Sequence, residues 1–423
     1  MSEMMRVPDG WEVIQLGDVG SFKNGVNKSK EDFGFGMPFI NLQDVFGHWE
    51  IEQSDFDLVN ATDVELKNYN LNKGDILFIR SSVKPSGVGL TSVVKENIHN
   101  TIYSGFIIRF RSNDMTFDVE YSKYCFHDEL FRQRLLQKST VSANSNINQE
   151  SLVSLDLLLP PKKEQEKIAK ILSTLDKSIE ATNRLIEKEK NIKTALMQEL
   201  LTNGIDQNGQ IRSIATHTYK KSELGLIPDE WEVVSLEKIG NVITGNTPST
   251  DNEDYYNGNI PFIGPVDFVG QKHITKTEKT VSKDGLNYSR EIPKDSILTV
   301  CIGSTIGKIA LAVKQCCTNQ QINALVCDKK YFSEFIFYAM SQFLQRQLNV
   351  EAGLQAVPIV NKSSFAKLVL PCPLDMEEQK QIAKILTTQD KKIETEQTNL
   401  AKLKELKKGL MNDLLSGKVR VKV

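Results

Sequence analysis

The stretch EQEKIAKIL at residues 164–172 returns as EQKQIAKIL at residues 378–386, and this repeat decides the architecture of the chain. Apolar residues continue at helical spacing after both copies. Pro160-Pro161 opens the first helical stretch, Gly204 closes it, and Gly417 follows the second stretch. The sequence therefore predicts two helices of about 37 residues, each about 55 Å long.

A second repeat precedes each helix. PDGWEV at residues 8–13 matches PDEWEV at 228–233, and KGDIL at 73–77 matches KDSIL at 294–298. Between these markers, short β-prone runs alternate with clusters of Gly, Asn, Ser and Pro, which is typical of a mixed sheet. Apolar spacing adds two shorter helices, predicted over Asp118–Gln137 and Phe332–Leu348. The unit is a domain followed by a long helix, used twice, and the fold class is α+β.

The repeat also sets boundaries. We predict a first domain at residues 1–160, a helix at 161–203, a linker at 204–226, a second domain at 227–373, and a second helix with a tail at 374–423. A linker of about 25 residues has little distance to cover if the helices pair in an antiparallel coiled coil, whereas a parallel pair would send the chain back about 55 Å. Antiparallel pairing predicts pseudo-two-fold symmetry, with the domains at opposite ends of the spacer.

Length, composition and charge limit the possible functions. A chain of 423 residues with 40% hydrophobic and 25% charged residues should fold into several globular domains. No uncharged apolar run approaches the roughly 18 residues of a membrane span, so we expect a cytoplasmic protein without membrane contact. The net charge is −2, and residues 1–160 carry 15 basic against 22 acidic side chains. Any nucleic-acid site must then be a local basic surface.

Catalytic motifs are absent from the sequence. The run Gly303–Lys308 has the wrong glycine spacing for a phosphate-binding loop, and it lacks the following Ser or Thr. The five histidines are isolated, so we predict no metal site. No Asn-Pro-Pro-aromatic tetrapeptide exists for base methylation, and no nuclease motif is found. We therefore expect the chain not to be an enzyme and to hold no cofactor.

Together these features resemble a known family, the specificity (S) subunits of type I restriction-modification systems. The resemblance spans essentially the whole chain and is carried by the paired Pro-x-x-Trp-Glu-Val openings and the two Glu-Gln-x-x-Ile-Ala-x-Ile-Leu helix starts. It is also carried by Gly245–Pro248, the Gly303–Lys308 loop and Asn319–Gln321. The first domain departs from this pattern, because it has Arg80–Gly87 in place of the Gly303 loop and no Asn-Gln pair.

The resemblance implies a function and partners. Each domain would be a target-recognition domain that reads one half of an asymmetric, bipartite site in double-stranded DNA. The helices would hold two modification (methyltransferase) subunits, and restriction (motor and nuclease) subunits would join through the complex. S-adenosylmethionine, ATP and magnesium would belong to those partner subunits. Two inverted, non-identical domains suit half-sites about one helical turn apart.

Candidate DNA-binding residues are the loop amides and hydroxyls that can read base edges and the loop cations that can bind phosphates. In the first domain they are Arg80, Ser81, Lys84, Ser86, Ser139, Thr140, Asn144 and Asn146. In the second domain they are Asn246, Thr247, Ser304, Thr305, Lys308, Asn319, Gln320, Gln321 and Gln355. The alternative for each is an ordinary solvated or turn-capping residue.

A rival function is a coiled-coil scaffold that bridges other proteins without recognising DNA. The acidic first domain and a sequence pI near 6.3 favour this alternative. Discrimination between a cognate and a nonspecific DNA duplex would separate the two functions.

Overall fold

The structure, a computed structural model, describes residues 7–51, 55–113, 116–141, 144–353 and 358–422. Its contacts group the chain into two units. Unit 1 contains the residues up to Arg184 together with those from Thr398 onward, and unit 2 contains Leu185–Gln397.

Unit 1 is a mixed α/β unit that also contains the start of the first long helix. Its strands are β1 (Glu12–Gln15), β2 (Gly20–Asn24), β3 (Phe33–Ile40), β4 (Glu50–Ile51), β5 (Asp57–Val59), β6 (Ile76–Ile79), β7 (Ser81–Ser82), β8 (Thr91–Val94), β9 (Ile102–Tyr103), β10 (Ile107–Ser112), β11 (Thr140–Val141), β12 (Ser145–Asn146) and β13 (Asp156–Leu159). Its helices are α1 (Leu16–Val19), α2 (Leu42–Val45), α3 (Asp63–Tyr69), α4 (Val119–Cys125), α5 (Glu129–Lys138), α6 (Gln149–Val153) and the start of α7 (Lys162–Thr202).

The central sheet of unit 1 has the strand order β2-β10-β6-β8-β4. Its middle strand β6 is buried on both faces, because successive side chains point to opposite sides of a strand. Ile76 and Phe78 join one apolar cluster, and Leu77 and Ile79 join another. Two small three-stranded sheets, β5-β3-β9 and β11-β12-β7, and the pair β1-β13 complete the unit.

Unit 2 repeats this plan. Its strands are β14 (Tyr219–Ser222), β15 (Gly225–Pro228), β16 (Trp231–Ser235), β17 (Gly240–Thr244), β18 (Tyr256–Ile263), β19 (His273–Ile274), β20 (Lys279–Val281), β21 (Ile297–Val300), β22 (Ile309–Ala312), β23 (Cys317–Thr318), β24 (Ile322–Cys327) and β25 (Val369–Pro373). Its helices are α8 (Leu236–Ile239), α9 (Lys283–Asn287), α10 (Ser333–Ala352), α11 (Lys362–Lys367) and the start of α12 (Met376–Leu415). The central order β17-β24-β21-β22-β19 matches that of unit 1 strand for strand.

Within each unit the two long helices pair in antiparallel fashion. In unit 1, the beginning of α7 lies beside the end of α12, and Asp176 accepts from Lys407 Nζ at 2.6 Å. In unit 2, the end of α7 lies beside the beginning of α12, and Lys193 bonds to Asp390 at 2.6 Å. Apolar residues of both helices enter each core. The predicted α+β class and antiparallel pairing are confirmed.

The repeated Trp and Glu form the same buried node in both units. In unit 1, the indole N–H of Trp11 donates to Glu164 at 3.2 Å, and Arg420 donates to the same carboxylate. In unit 2, Trp231 donates to Glu378 at 3.2 Å and Arg212 donates to it through two nitrogens. The segment after each long helix thus supplies the arginine that closes a node.

The repeated glutamines act as local clamps. Gln165 donates to the carbonyls of Thr116 and Pro160 and accepts from the backbone of Asp118 at 2.8 Å. Gln379 makes the matching set in unit 2, donating to Pro373 and accepting from Phe332. These bonds fix the start of each long helix to its own domain, which explains why the Glu-Gln pair is repeated.

One predicted helix is wrong in extent. The range Asp118–Gln137 contains two helices, α4 and α5, because Asp128 accepts from the backbone of Phe131 at 3.0 Å and starts a new helix. The second predicted helix, Phe332–Leu348, corresponds to α10. Among the helices of the described ranges, none is both long and apolar enough to span a bilayer.

Candidate nucleic-acid interface

In unit 2, three loops meet at one end of the central sheet. They follow β17, follow β21 and precede β24. The backbone N–H of Gly245 donates to Ile322 at 3.0 Å, and a Cβ on Gly245 would lie only 2.1 Å from Thr318 Oγ1. Only glycine allows this approach, so Gly245 joins the first loop to the third.

Amide and hydroxyl side chains of these loops bond to one another. Thr247 Oγ1 donates to Gln320 Oε1 at 2.9 Å, and Asn319 Nδ2 donates to Gln321 Oε1 at 3.0 Å. The backbone of Gln321 donates to Asn319 Oδ1 at 3.1 Å. The structure therefore brings four predicted residues into one cluster, and Asn319 orients the Gln321 side chain. A pre-oriented amide of this kind can read a base edge through two hydrogen bonds.

Asn246 has a different local role. Its Nδ2 donates to the carbonyl of Tyr288 and its Oδ1 accepts from the backbone of Arg290, both at 2.7 Å. The guanidinium of Arg290 donates to the carbonyl of Thr244 at 2.7 Å, and the residue is exposed. Asn246 thus positions a cation that sequence reasoning missed. Nothing in the sequence pointed to Arg290, which is 44 residues away.

The loop after β21 carries the remaining predicted residues of unit 2. Gly303 and Gly307 have φ values of +97° and +88°, which favour glycine. Between them Ser304 is exposed and Thr305 half-buried. The ammonium of Lys308 donates to the carbonyl of Phe268 at 2.9 Å. Gln355 lies outside the described residues.

Unit 1 has corresponding loops, identified by matching backbone hydrogen bonds. Gly25 donates to Ile107 at 3.0 Å as Gly245 does to Ile322, and Arg80 donates to Phe106 at 2.8 Å as Cys301 does to Gln321. Arg80 therefore holds the position that Cys301 holds in unit 2. The loop after β6 is three residues longer than the loop after β21. The N–H of Gly89 donates to the carbonyl of Ile79 to close the first loop, and the N–H of Gly307 donates to the carbonyl of Val300 to close the second.

A small sheet brings two distant predicted stretches of unit 1 together. Strand β12 pairs with β7 on one side and with β11 on the other, so Asn146 lies opposite both Ser81 and Thr140. Asn146 Nδ2 also donates to the carbonyl of Asn144 at 3.0 Å. Arg80 directly precedes β7. Arg80 thus shares one surface cluster with the predicted residues Ser81, Thr140, Asn144 and Asn146, although about 60 residues separate the two stretches.

The other predicted residues of unit 1 lie beside this cluster or serve the fold. Lys84 and Ser86 are exposed on a short 3-10 turn, and Arg132 donates to the carbonyl of Ser86 at 3.1 Å. Burial lowers the pKa of Arg132 to about 10, so it stays cationic at neutral pH. Ser139 donates to the carbonyl of Leu136 at 2.7 Å and ends α5.

Sequence reasoning missed the turn Ser104–Phe106. This turn precedes β10 as Asn319–Gln321 precedes β24, and Arg80 Nη1 donates to the carbonyl of Gly105 at 3.3 Å. Aligning the buried strands that follow the two turns would have revealed the correspondence. The chemistry at equivalent positions differs, with a hydroxyl and an aromatic ring in unit 1 and three amides in unit 2.

Both loop clusters offer the groups that contact nucleic acids: amides, hydroxyls, guanidinium and ammonium groups. Within the described part of the chain, no group of three His, Cys, Asp or Glu side chains is arranged to hold a metal ion. Burial raises the pKa of the Cys301 thiol to about 12, which leaves it protonated at neutral pH.

Comparisons with known proteins agree with the duplicated fold. The family model described as "Type I restriction modification DNA specificity domain" matches residues 8–190 and again 228–405. A putative type I restriction enzyme specificity subunit, MjaX, of Methanocaldococcus jannaschii is 27% identical, over all of this chain and 96% of the relative. The HindI specificity subunit of Haemophilus influenzae is 25% identical, over 86% of this chain and 90% of the relative.

Solved structures share the fold. An S subunit of a type I restriction-modification system from M. genitalium aligns with a TM-score of 0.59 at 15% identity, covering 98% of both chains. A chain from a study of complex assembly in the type I R-M system aligns with a TM-score of 0.61 at 17% identity, covering 98% of this chain and all of the other. Since the family model covers both repeats, the chain belongs to the type I restriction-modification DNA specificity family, which confirms the resemblance.

Proposed function

We propose that the chain is the DNA-sequence specificity subunit of a type I restriction-modification complex, and that each unit reads one half of an asymmetric, bipartite DNA site. One observation carries the proposal: equivalent loops at the same end of the same sheet bear different side chains in the two units. A shared framework with different reading groups is what recognition of two unlike half-sites requires.

The chemistry of each cluster supports a division of labour between bases and phosphates. In unit 2, Gln321, oriented by Asn319, reads a base edge, with Thr247 and Gln320 alongside. Arg290 and Lys308 neutralise phosphates beside them. In unit 1, Arg80 and the hydroxyls and amides of β7, β11 and β12 read bases, and Lys84 binds a phosphate. Because the net charge of the chain is −2, affinity for phosphates depends on the cations concentrated at these two clusters.

The long helices hold the partner subunits. Two modification subunits bind along the helical pair, and restriction subunits join through the assembled complex. Support comes from the helices' exposed apolar residues, such as Leu185 and Leu406, which lie outside the cores described above. S-adenosylmethionine, ATP and magnesium bind to those partners, and this chain carries no catalytic step of its own.

The test begins with the target sequence. Methylated motifs are mapped in host DNA with and without the gene, and the motif that depends on the gene gives the two half-sites. Binding of the assembled complex is then titrated on the cognate duplex, on duplexes with one half scrambled, and on a fully scrambled duplex. We expect each scrambled half to lower affinity, with the full site favoured by several kcal/mol.

Loop variants assign each unit to its half. Gln321→Ala should lose discrimination only at the half-site read by unit 2, at a cost of about 1–3 kcal/mol. Gln210→Ala, the same substitution at an exposed position of the segment between α7 and β14, is the matched control. Equal affinity for cognate and scrambled duplexes would reject recognition of a DNA sequence and favour a coiled-coil scaffold that bridges other proteins.

A further inference from the structure

Phe106 is an exposed aromatic residue in the middle of the unit 1 loop cluster. The residue is 56% exposed, although its backbone is hydrogen-bonded on both sides. The Phe106 N–H donates to Ser104 Oγ at 3.3 Å, and its carbonyl accepts from Arg80 at 2.8 Å. The ring is therefore held outward on a rigid turn.

The fold does not require an aromatic residue at this position. Gln321 holds the equivalent position in unit 2, where its carbonyl accepts from Cys301 at 2.8 Å and the following strand starts at the next residue. The same backbone thus carries an amide in one unit and a phenyl ring in the other. Because the backbone is the same with either side chain, the residue at this position can differ between the units to match the DNA half-site that each unit reads.

The neighbours of Phe106 connect it to the proposed reading surface. Arg80 Nη1 donates to the carbonyl of Gly105, so the guanidinium lies directly beside the turn. Arg80 leads into β7, whose Ser81 pairs with Asn146. Phe106 thus lies beside Arg80 and near the Ser81–Asn146 pair, and the equivalent position in unit 2 carries the amide of Gln321.

We propose that Phe106 is a specificity-determining residue that contacts the C5 methyl group of a thymine in the half-site read by unit 1. Thymine alone among the four bases presents an apolar group in the major groove, and phenylalanine is one of the side chains that contact it. The inference rests on the proposed function, because it needs unit 1 to bind DNA.

The experiment measures binding of the assembled complex to cognate duplexes in which uracil replaces thymine. Uracil keeps every hydrogen-bonding group and lacks only the methyl group. One duplex carries uracil in the half-site of unit 1, and the control duplex carries it in the half-site of unit 2. The proteins are the wild type, Phe106→Gln, which copies the residue of unit 2, and Phe106→Leu, which keeps an apolar side chain.

The wild type should lose about fourfold in affinity when uracil replaces the contacted thymine, as expected for one buried methyl group. Phe106→Gln should lose a similar factor on thymine DNA and be insensitive to uracil in that half-site. Phe106→Leu should retain part of the thymine preference. All three proteins should respond alike to uracil in the other half-site.

Three results would overturn the inference. The wild type could bind the thymine duplex and the duplex with uracil in the half-site of unit 1 equally well, the uracil penalty in that half-site could persist in Phe106→Gln, or the half-site of unit 1 could contain no thymine. The inference also fails if Phe106→Gln binds more weakly than the wild type by the same factor on thymine DNA and on uracil DNA, which would indicate a ring inserted between base steps. If the wild type does not distinguish cognate from scrambled DNA, the proposed function itself fails, which separates the two failures.

Discussion

Replacing Arg212 with alanine should destabilise unit 2 strongly, because it removes half of a buried ion pair. Arg212 and Glu378 are only 6% and 7% exposed, and two guanidinium nitrogens donate to the carboxylate. Among the described residues, the donors that Glu378 keeps after the substitution are the N–H groups of Ile205 at 3.0 Å and Trp231 at 3.2 Å. Breaking a buried pair from one side costs about 3–5 kcal/mol, and these two donors favour a loss of about 3 kcal/mol.

The assay is thermal unfolding of the full chain, combined with hydrogen exchange of peptides from unit 2. A loss of about 3 kcal/mol should lower the midpoint of the unit 2 transition by about 6–12 °C. Glu230→Gln is the matched control, because Glu230 is 69% exposed and makes one bond to Arg212 at 2.7 Å. The control should cost less than about 1 kcal/mol.

If Arg212→Ala loses no more stability than Glu230→Gln, the buried ion pair does not stabilise unit 2 in this way. An equal rise of exchange in peptides of both units would also contradict the prediction, since the node belongs to unit 2. The corresponding Arg420→Ala should destabilise unit 1 by less, because Arg420 is 38% exposed and water can replace part of its contact with Glu164.

Two further predictions concern unit 1. Lys84→Ala should weaken binding to cognate and scrambled DNA alike and reduce the slope of log K against log salt by about one, measured by salt titration of the assembled complex; an unchanged slope would remove Lys84 from the interface. Burial, aided by the charges of Arg132 and Lys407, lowers the pKa of His127 to about 3. The unfolded state binds a proton on this histidine below roughly pH 6.5, whereas the folded state excludes it. His127 therefore contributes stability above roughly pH 6.5 that is lost as the pH falls toward 3. The loss in the free energy of unfolding is roughly 2 kcal/mol by pH 5. In urea unfolding at pH 7.5 and 5, His127→Gln should show a smaller pH effect by that amount, and an unaltered difference would contradict the assignment.

The repeat predicted most of the fold. The paired openings contain Trp11 and Trp231, and both tryptophans are buried in the structure, at 5% and 0% exposed. The helical spacing and the short connecting segment predicted the antiparallel pairing found in each unit. The arginines that close the two nodes were not predicted, because Arg212 lies 166 residues from Glu378 in the chain and Arg420 lies 256 residues from Glu164. No local pattern encodes such partners.

The candidate interface was predicted less completely, for a related reason. Loop polarity indicated the correct residue types, but the grouping depends on strand register. Only the pairing of β12 with β7 and β11 brings Asn146 beside Ser81 and Thr140. Phe106 was not among the predicted residues because those were polar, and an exposed phenylalanine next to a buried strand has the sequence pattern of the core.

Exchanging one recognition domain and mapping methylation shows whether each unit reads one half-site. Residues 7–160 are replaced by the first domain of another family member that has a tryptophan at the position of Trp11, so that the node with Glu164 is preserved. Methylated motifs are then sequenced in a host that carries the modification subunits. We expect a motif in which one half is new and the other half is unchanged. A change in both halves, or in neither, would contradict this expectation.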